Sequence, residues 1–557
     1  MYRIADGLDT KRPSRSLLKP DPGSPDRPTI RGRRVRIARA TLALLALGMI
    51  WRVARFAMGQ PLWGDEAFLA VNLLTRDFAG LLGPLDYRQI APIGFLWAEL
   101  AVVRALGPSE WALRLLPFLS GLASLALFYR FSIRAVDRRS ALLAVGILAA
   151  SFYPVRHANE AKPYATDLLL SLVITGLAWD VWSDRMSWRR WLTLTFAVGM
   201  GVWFSYPLLF VVSGVGLVLA ARVLQGPGPR AKPVAGFVGF ALAGAASWLA
   251  FYTLTARPQA ESTPVYAQME TWRGAFPPLG RPWALPGWLL DVHTGNMLAY
   301  PQGGNDYGST GTAILVVAGI LALRKRRAGL LALLLAPLLP TLLASVPHRY
   351  PYGTSARTTL YMAPAFCLLA GVGAAALIRR LETVGRRRVY RVAWLALAVM
   401  IAVGTAANLA LPYKNYEDKL NRDAVREFAA LARPGDRWLA FDGLDRLPDT
   451  PGTFLEHWLQ QMAEVRYNVL SKSPVPVAWN PSMASVADLG PGRTWLIVHR
   501  SRCPGFDEVG LSDRIAALTR LAGPPRVRSI RMTRGESLEA FEFDPAPRPA
   551  GFGVPAS

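Results

Sequence analysis

Near-continuous apolar runs, repeated along the chain and separated by short basic loops, constrain this sequence more than any other feature. Stretches such as 38–50, 141–153, 168–179 and 392–411 are of this kind, and a bilayer crossing needs about 20 predominantly apolar residues. They explain why 557 residues are 52% hydrophobic, with a mean hydropathy of +0.24, a balance that soluble domains of this size rarely have. Placing a span on each run gives about eleven, near 37–57, 111–133, 139–156, 163–183, 189–205, 207–223, 233–255, 310–323, 328–346, 358–378 and 390–411. The expected fold class is a polytopic α-helical membrane protein.

The net charge of +25 and pI near 10.6 would suggest nucleic acid in a soluble chain. Here the cations cluster in loops: Arg134/Arg138/Arg139, Arg185/Arg189/Arg190, Arg222/Arg230/Lys232, Arg324–Arg327 and the 379–391 stretch. All of these fall on one side of the span pattern, which the positive-inside rule makes cytoplasmic; nucleic acid is not an expected partner. Residues 1–36, rich in Pro, Arg and Asp, read as a disordered cytoplasmic tail. Arg31, Arg33, Arg34 and Arg36 flank a first apolar run without a small-residue cleavage site, which reads as a signal anchor. Cys367 and Cys503 lie in different settings and imply neither a disulfide framework nor a Cys-type metal site.

The opposite side receives 58–110, 156–162, 256–309, 347–357 and everything from 412 onward. Within the first of these, 66–82 has helical apolar spacing and 92–106 is an apolar run too short to span easily, so both read as helices lying at the interface. Segment 256–309 carries Tyr266, Trp272, Trp283, Trp288 and Tyr300, as expected of a loop at headgroup level. Three regions follow: the tail 1–36, a membrane domain 37–411, and a small extracytoplasmic domain 412–557. The last alternates expected helices (423–432, 453–464, 512–521) with strands (437–441, 494–499, 527–532, 538–543), an α/β pattern. It has no phosphate loop or triad and reads as a lid or docking module.

Three clusters on that side could carry chemistry. Asp65 and Glu66 follow Trp63-Gly64 just beyond the first span; they are either solvated loop acids or a general base at the membrane surface. His157, Glu160, Tyr164 and Asp167 are spaced by three and four residues and line one face if the helix opened by Pro163 begins early enough. An acid at the depth of Asp167 is costly and usually faces a cavity. His157 with Glu160 could also ligate a divalent metal, though one His and one acid make a thin ligand set. His348-Arg349-Tyr350 and Arg357 place guanidinium groups where the positive-inside rule does not call for them, and such groups suit a lipid phosphate. Arg52 and Arg55 either add to that charge or anchor the first span at the interface.

With Gly64-Asp65-Glu66, Gln89-Ile-Ala-Pro92-Ile-Gly94-Phe95, Gly107-Pro-Ser109-Glu110-Trp111-Ala112-Leu113-Arg114, Glu160-Ala-Lys162-Pro163-Tyr164 and His348-Arg349-Tyr350 in this order, the chain resembles a GT-C type membrane glycosyltransferase. It is similar to bacterial relatives of the protein O-mannosyltransferases and of the enzyme that adds aminoarabinose to lipid A. The resemblance covers about residues 35–411. It implies an inverting transfer of a sugar from a polyprenyl-phosphate donor to a hydroxyl of a lipid, glycan or protein acceptor, on the outer face of the cytoplasmic membrane. It also implies Asp65 as catalytic base with Glu66 in support, and Glu160 as a second catalytic acid. Lys162, Arg349 and Arg357 would hold the donor phosphate, with His157, Tyr164, Asp167, Gln89 and Tyr350 positioning substrate. Gln89 stands where many relatives have His, so no metal ligand is assigned; a divalent metal stays open, and a phosphate leaving group met by cations does not require one. The competing expectation is a transporter or flippase of lipid-linked sugars, which would bind its cargo near the bilayer midplane in repeated halves.

Overall fold

The computed structural model describes residues 30–226, 229–261, 272, 274–383, 416–441, 463–471, 478–480, 492–500, 508–531 and 537–544, with single positions between 395 and 406. Helices form wherever the first ten apolar runs were placed. They are α1 (Ile30–Ala57), α2 (Gly64–Thr75), α3 (Ile93–Leu106), α4 (Glu110–Ala135), α5 (Arg138–Ala150), α6 (Phe152–His157), α7 (Tyr164–Ser183), α8 (Trp188–Gly201) and α9 (Leu208–Gln225). There follow α10 (Ala231–Phe251), α11 (Arg257–Glu261), α12 (Leu285–Thr294), α13 (Thr310–Leu323), α14 (Ala328–Leu335), α15 (Leu338–Ser345) and α16 (Ala363–Thr383). Seven stretches among the described residues are long and apolar enough to cross a membrane, making this a multi-pass membrane protein. Three of the remaining expected spans are shorter helices: α5 with 13 residues and α8 and α13 with 14 each. The expected span at 390–411 lies almost wholly outside the described residues.

Many outward residues of these helices are apolar: Leu192 is 63% exposed, Phe196 72% and Leu242 66%. A helix apolar all round is at home only where its outer face meets lipid. The interior is organised on α16, whose residues 363–375 are all buried and which packs between α5 and α13. Close approach is built on small residues: a Cβ at Gly371 would press on the Ala144 backbone, one at Gly319 on the Leu369 carbonyl and one at Gly373 on the Leu315 carbonyl. Without a hydrophobic drive between helices in lipid, such close packing supplies the association energy.

Ion pairs mark one end of the bundle. Arg139 meets Glu382 at 2.8 Å, Arg379 meets Asp137 at 3.4 Å, and Arg134 pairs with Asp180. At the opposite end lie α2 and α3, which follow α1 and precede α4 in the chain, α3 packing on α4. Helix α2 stops at Thr75, short of the expected 82, because Arg76 is extended and the Asp77 side chain accepts from Gly80 N at 2.7 Å, opening a separate turn, Gly80–Leu82. Gly94, at the start of α3, donates its N–H to Trp203 O at 2.8 Å. A Cβ there would meet that carbonyl and the Phe204 ring, so the approach requires glycine.

Beyond the membrane helices the described residues form α17 (Tyr416–Ala429), α18 (463–471), α19 (Glu508–Ala522) and strands β1 (Arg437–Phe441), β2 (Ala478–Asn480), β3 (Thr494–Arg500), β4 (Arg526–Arg531) and β5 (Ser537–Phe543). The sheet order is β2-β1-β3-β5-β4, with β1 parallel to β2 and β3, and β5 antiparallel to β3 and β4. Its faces bury Trp438 and Trp495 on one side and Phe441, Leu496 and Phe543 on the other. The expected helix 453–464 lies outside the described residues except for its last two positions, which open α18.

Candidate active site

Trp63-Gly64-Asp65-Glu66 is the start of α2, where unpaired N–H groups and the helix dipole favour carboxylates. Asp65 and Glu66, adjacent in sequence, point into different surroundings. Asp65, 18% exposed, is held between two cations from distant parts of the chain: Lys162 Nζ lies 3.1 Å from Oδ1 and Arg357 Nη1 lies 2.8 Å from Oδ2. Burial by itself would raise the affinity of Asp65 for a proton; Lys162 and Arg357 outweigh it and hold the carboxyl below its usual range. Lys162 also donates to Gln89 Oε1 at 2.6 Å, and the Arg357 guanidinium stacks on the Trp272 ring at 4.8 Å.

Glu66 is buried and engaged on every side. Oε1 accepts from Arg114 Nε at 2.8 Å and from Ala161 N at 2.7 Å; Oε2 accepts from Arg114 Nη2 at 2.6 Å and from Trp63 N at 3.4 Å. It therefore ties three segments together: the opening of α2, helix α4, and the loop that carries Lys162. Glu160 is likewise enclosed, accepting from Arg156 Nε at 2.5 Å and meeting His157 Nδ1 at 2.7 Å. Burial raises its proton affinity, but His157 and Arg156 more than reverse this and keep it well below the usual carboxylate range. Among the described residues His157 Nε2 has no hydrogen-bond partner, and it is buried, its ring stacked on Tyr153 and edge-on to Tyr164. Glu160 and His157 Nδ1 engage each other, which leaves Nε2 as the ring nitrogen of His157 not held by Glu160. Among the described residues no group of three or more His, Cys, Asp or Glu side chains is arranged to hold an ion.

The structure thus brings Asp65, Gln89, Lys162 and Arg357 together, with Glu66, His157, Glu160 and Tyr164 packed around them. Asp167 sits one turn into α7, buried, with Oδ1 lacking a partner among the described residues. Tyr350 donates to Thr358 O at 2.7 Å and packs edge-on against Phe210, bracing the loop that presents Arg357. Arg349 is exposed, and its side chain makes no hydrogen bond or ion pair with a described residue; it is not part of the cluster. Arg52 is buried and turned inward, donating to Gly48 O at 3.0 Å and Ala149 O at 3.3 Å, so it satisfies carbonyls at the end of α5 rather than anchoring at the interface.

Two cations in the site carry no role in the sequence reading. Arg114 stands at the end of a quoted motif, and a buried carboxylate next to Asp65 called for such a partner. Arg156 lies one helical turn before Glu160, a spacing that places the two side by side.

The fold is that of the solved ArnT structures from Cupriavidus metallidurans. Residues 91–251 match the family described as dolichyl-phosphate-mannose-protein mannosyltransferase. Among solved structures, ArnT from Cupriavidus metallidurans in the apo state superposes with a TM-score of 0.53 at 13% identity, over 90% of this chain and 97% of that one. The same protein bound to undecaprenyl phosphate gives 0.52, at the same identity and coverage. The oligosaccharyltransferase AglB from Archaeoglobus fulgidus, in complex with an inhibitory peptide and a dolichol-phosphate, gives 0.47 at 12% identity, over 92% of this chain and 75% of that one. No curated protein matches the chain by sequence.

Proposed function

We propose that this protein is a glycosyltransferase that moves a sugar from a polyprenyl-phosphate donor to an acceptor hydroxyl, with inversion, on the outer face of the cytoplasmic membrane. The observation that carries the reading is Asp65 held between Lys162 at 3.1 Å and Arg357 at 2.8 Å. A carboxylate beside two cations is what group transfer from a phosphate ester needs: a base for the incoming hydroxyl and positive charge for the departing phosphate. The undecaprenyl phosphate bound by the Cupriavidus protein of the same fold supports a polyprenyl phosphate as the donor's lipid part.

In this mechanism the donor phosphate draws Lys162 and Arg357 onto itself and frees Asp65. The acceptor oxygen attacks the anomeric carbon from the face opposite the phosphate and gives its proton to Asp65. The bond from that carbon to the phosphate oxygen breaks, and the polyprenyl phosphate leaves with the electron pair, its charge met by Lys162 and Arg357. Gln89 steers Lys162, while Glu66 and Glu160 keep the loops that carry Asp65 and Lys162 in place. Tyr164, His157 and Asp167 shape the floor on which the sugar rests, and Tyr350 braces the Arg357 loop. Arg349 lies outside the reacting groups. The leaving charge is answered by side chains, so no step requires a metal. The cluster's place at helix ends, away from the middle of the bundle, favours an enzyme over a transporter.

Asp65→Asn keeps the shape and removes the base. In purified protein given a polyprenyl-phosphate sugar and acceptor, transfer should fall by roughly 10²–10⁴-fold, with yield and thermal midpoint near wild type. A variant that transfers sugar at the wild-type rate would exclude Asp65 as the base.

A further inference from the structure

The turn that carries Gln89 is held in a conformation its own residues disfavour. Tyr87 and Arg88 are both left-handed, with φ of 57° and 53°, a region that residues with side chains seldom occupy in succession. Contacts from three directions impose it. From α2, Asn72 Oδ1 accepts from Asp86 N at 2.8 Å, Arg76 Nη2 meets Asp86 Oδ1 at 2.6 Å and Phe68 stacks on Tyr87 at 5.1 Å. From within the turn, Gln89 Nε2 donates to Tyr87 O at 3.2 Å. The third direction is α18, far away in sequence: Arg466 Nη1 meets Asp86 Oδ2 at 3.2 Å, and its guanidinium lies over the Tyr87 ring at 6.0 Å.

Helix α18 is seated firmly. Ala463 and Tyr467 are fully buried in the apolar cluster formed by α2 and α3. A second anchor stands nearby, where Arg426 pairs with Glu110 and Arg422 donates to Gly59 O at 3.3 Å. The described contacts therefore run without a gap from the C-terminal region to the site: Arg466 to Asp86 and Tyr87, Tyr87 O to the Gln89 amide, and Gln89 Oε1 to Lys162 Nζ at 2.6 Å.

We propose that Arg466 is a positioning residue of the Asp65 site: from the C-terminal region it fixes the 86–88 turn, so that Gln89 keeps Lys162 aimed at Asp65 and at the donor phosphate. The donor's part in this rests on the function proposed above. Arg466 touches no reacting atom; its effect passes through Gln89. A strained turn needs support from outside itself, and that support makes its geometry sensitive to the distant contact.

The test uses full-length protein carrying Arg466→Gln, Arg466→Lys, Gln89→Ala, and Arg466→Gln with Gln89→Ala. Two readouts are taken: binding of undecaprenyl phosphate, and the rate at which Lys162 is acylated by an N-hydroxysuccinimide ester, read by peptide mass spectrometry. Arg466→Gln should weaken phosphate binding by about three- to thirty-fold and speed acylation of Lys162, with Arg466→Lys falling between it and wild type. On the Gln89→Ala background, Arg466→Gln should add nothing to either readout. Full additivity in the double variant overturns the proposal, as does an Arg466→Gln variant unchanged in both readouts. If wild type binds no polyprenyl phosphate, the donor reading fails and the acylation rates alone decide: faster labelling by Arg466→Gln that adds nothing on the Gln89→Ala background supports the strut, and unchanged or fully additive labelling overturns it.

Discussion

Asp65 and Glu66 are neighbours whose different fates follow from what meets each carboxylate. Both were visible in the sequence as candidates, and so were Glu160, Lys162 and Arg357, because acids and guanidinium groups on that side of the span pattern are not explained by topology alone. The division of labour between Asp65 and Glu66 was not legible: it depends on Arg114, 48 residues beyond Glu66, and on the backbone N–H of Ala161. The Asp65 environment also sets a pH signature. In the free site Lys162 and Arg357 outweigh burial and hold its carboxyl low, so the carboxylate remains ionised to acidic pH. A donor phosphate that takes up both cations leaves Asp65 facing an anion, which raises its proton affinity. The acid limb of kcat, which reports the complex, should therefore lie at higher pH than the limb of kcat/KM for the donor, which reports the free enzyme. Limbs that coincide would mean that the two cations stay with Asp65 throughout the cycle.

Elements in the first loop are held by buried polar ties as much as by apolar packing. Helical spacing at 66–82 and 92–106 gave the existence of α2 and α3 from sequence, since periodicity is a local property. Where α2 ends, and how α3 meets residue 203, were not local: the first depends on the Asp77 side chain taking Gly80 N, the second on Gly94 giving its N–H to Trp203 O. The tie between α2 and α4 makes a stability prediction distinct from the catalytic one. Side chains of Arg114 and Glu66 are 6% and 1% exposed. Arg114→Ala would strand a buried carboxylate and should cost about 3–5 kcal/mol, read as a lowered unfolding midpoint in detergent. Replacing the pair by Arg114→Met with Glu66→Leu should recover much of that loss, because an apolar pair leaves no charge unanswered. A single variant as stable as wild type would show that the tie holds nothing in place.

At the scale of the whole molecule, the sequence carried the alternation of loops best and inter-region contact least. Alternation of Lys/Arg-rich loops with apolar runs is a property of the entire chain and could be read directly. The ion pairs Arg139–Glu382 and Arg379–Asp137 join loops that this alternation had assigned to one side. The seating of α18 on α2 and α3 had no local signature, because Tyr467 and Arg466 are ordinary residues of an amphipathic helix until their partners are known. The alternation makes a prediction that does not depend on chemistry. Arg281 and Lys325 are both exposed, Arg281 preceding α13 in the chain and Lys325 following it. In a background of Cys367→Ala and Cys503→Ser, Arg281→Cys should react with a membrane-impermeant maleimide added to intact spheroplasts. Lys325→Cys should react only after the membrane is opened, since the positive-inside rule expects a loop with four consecutive cations, 324–327, on the cytoplasmic side. Labelling of Lys325→Cys in intact spheroplasts would invert the topology and move the Asp65 site to the cytoplasmic face, where the donor would have to be presented from the opposite leaflet.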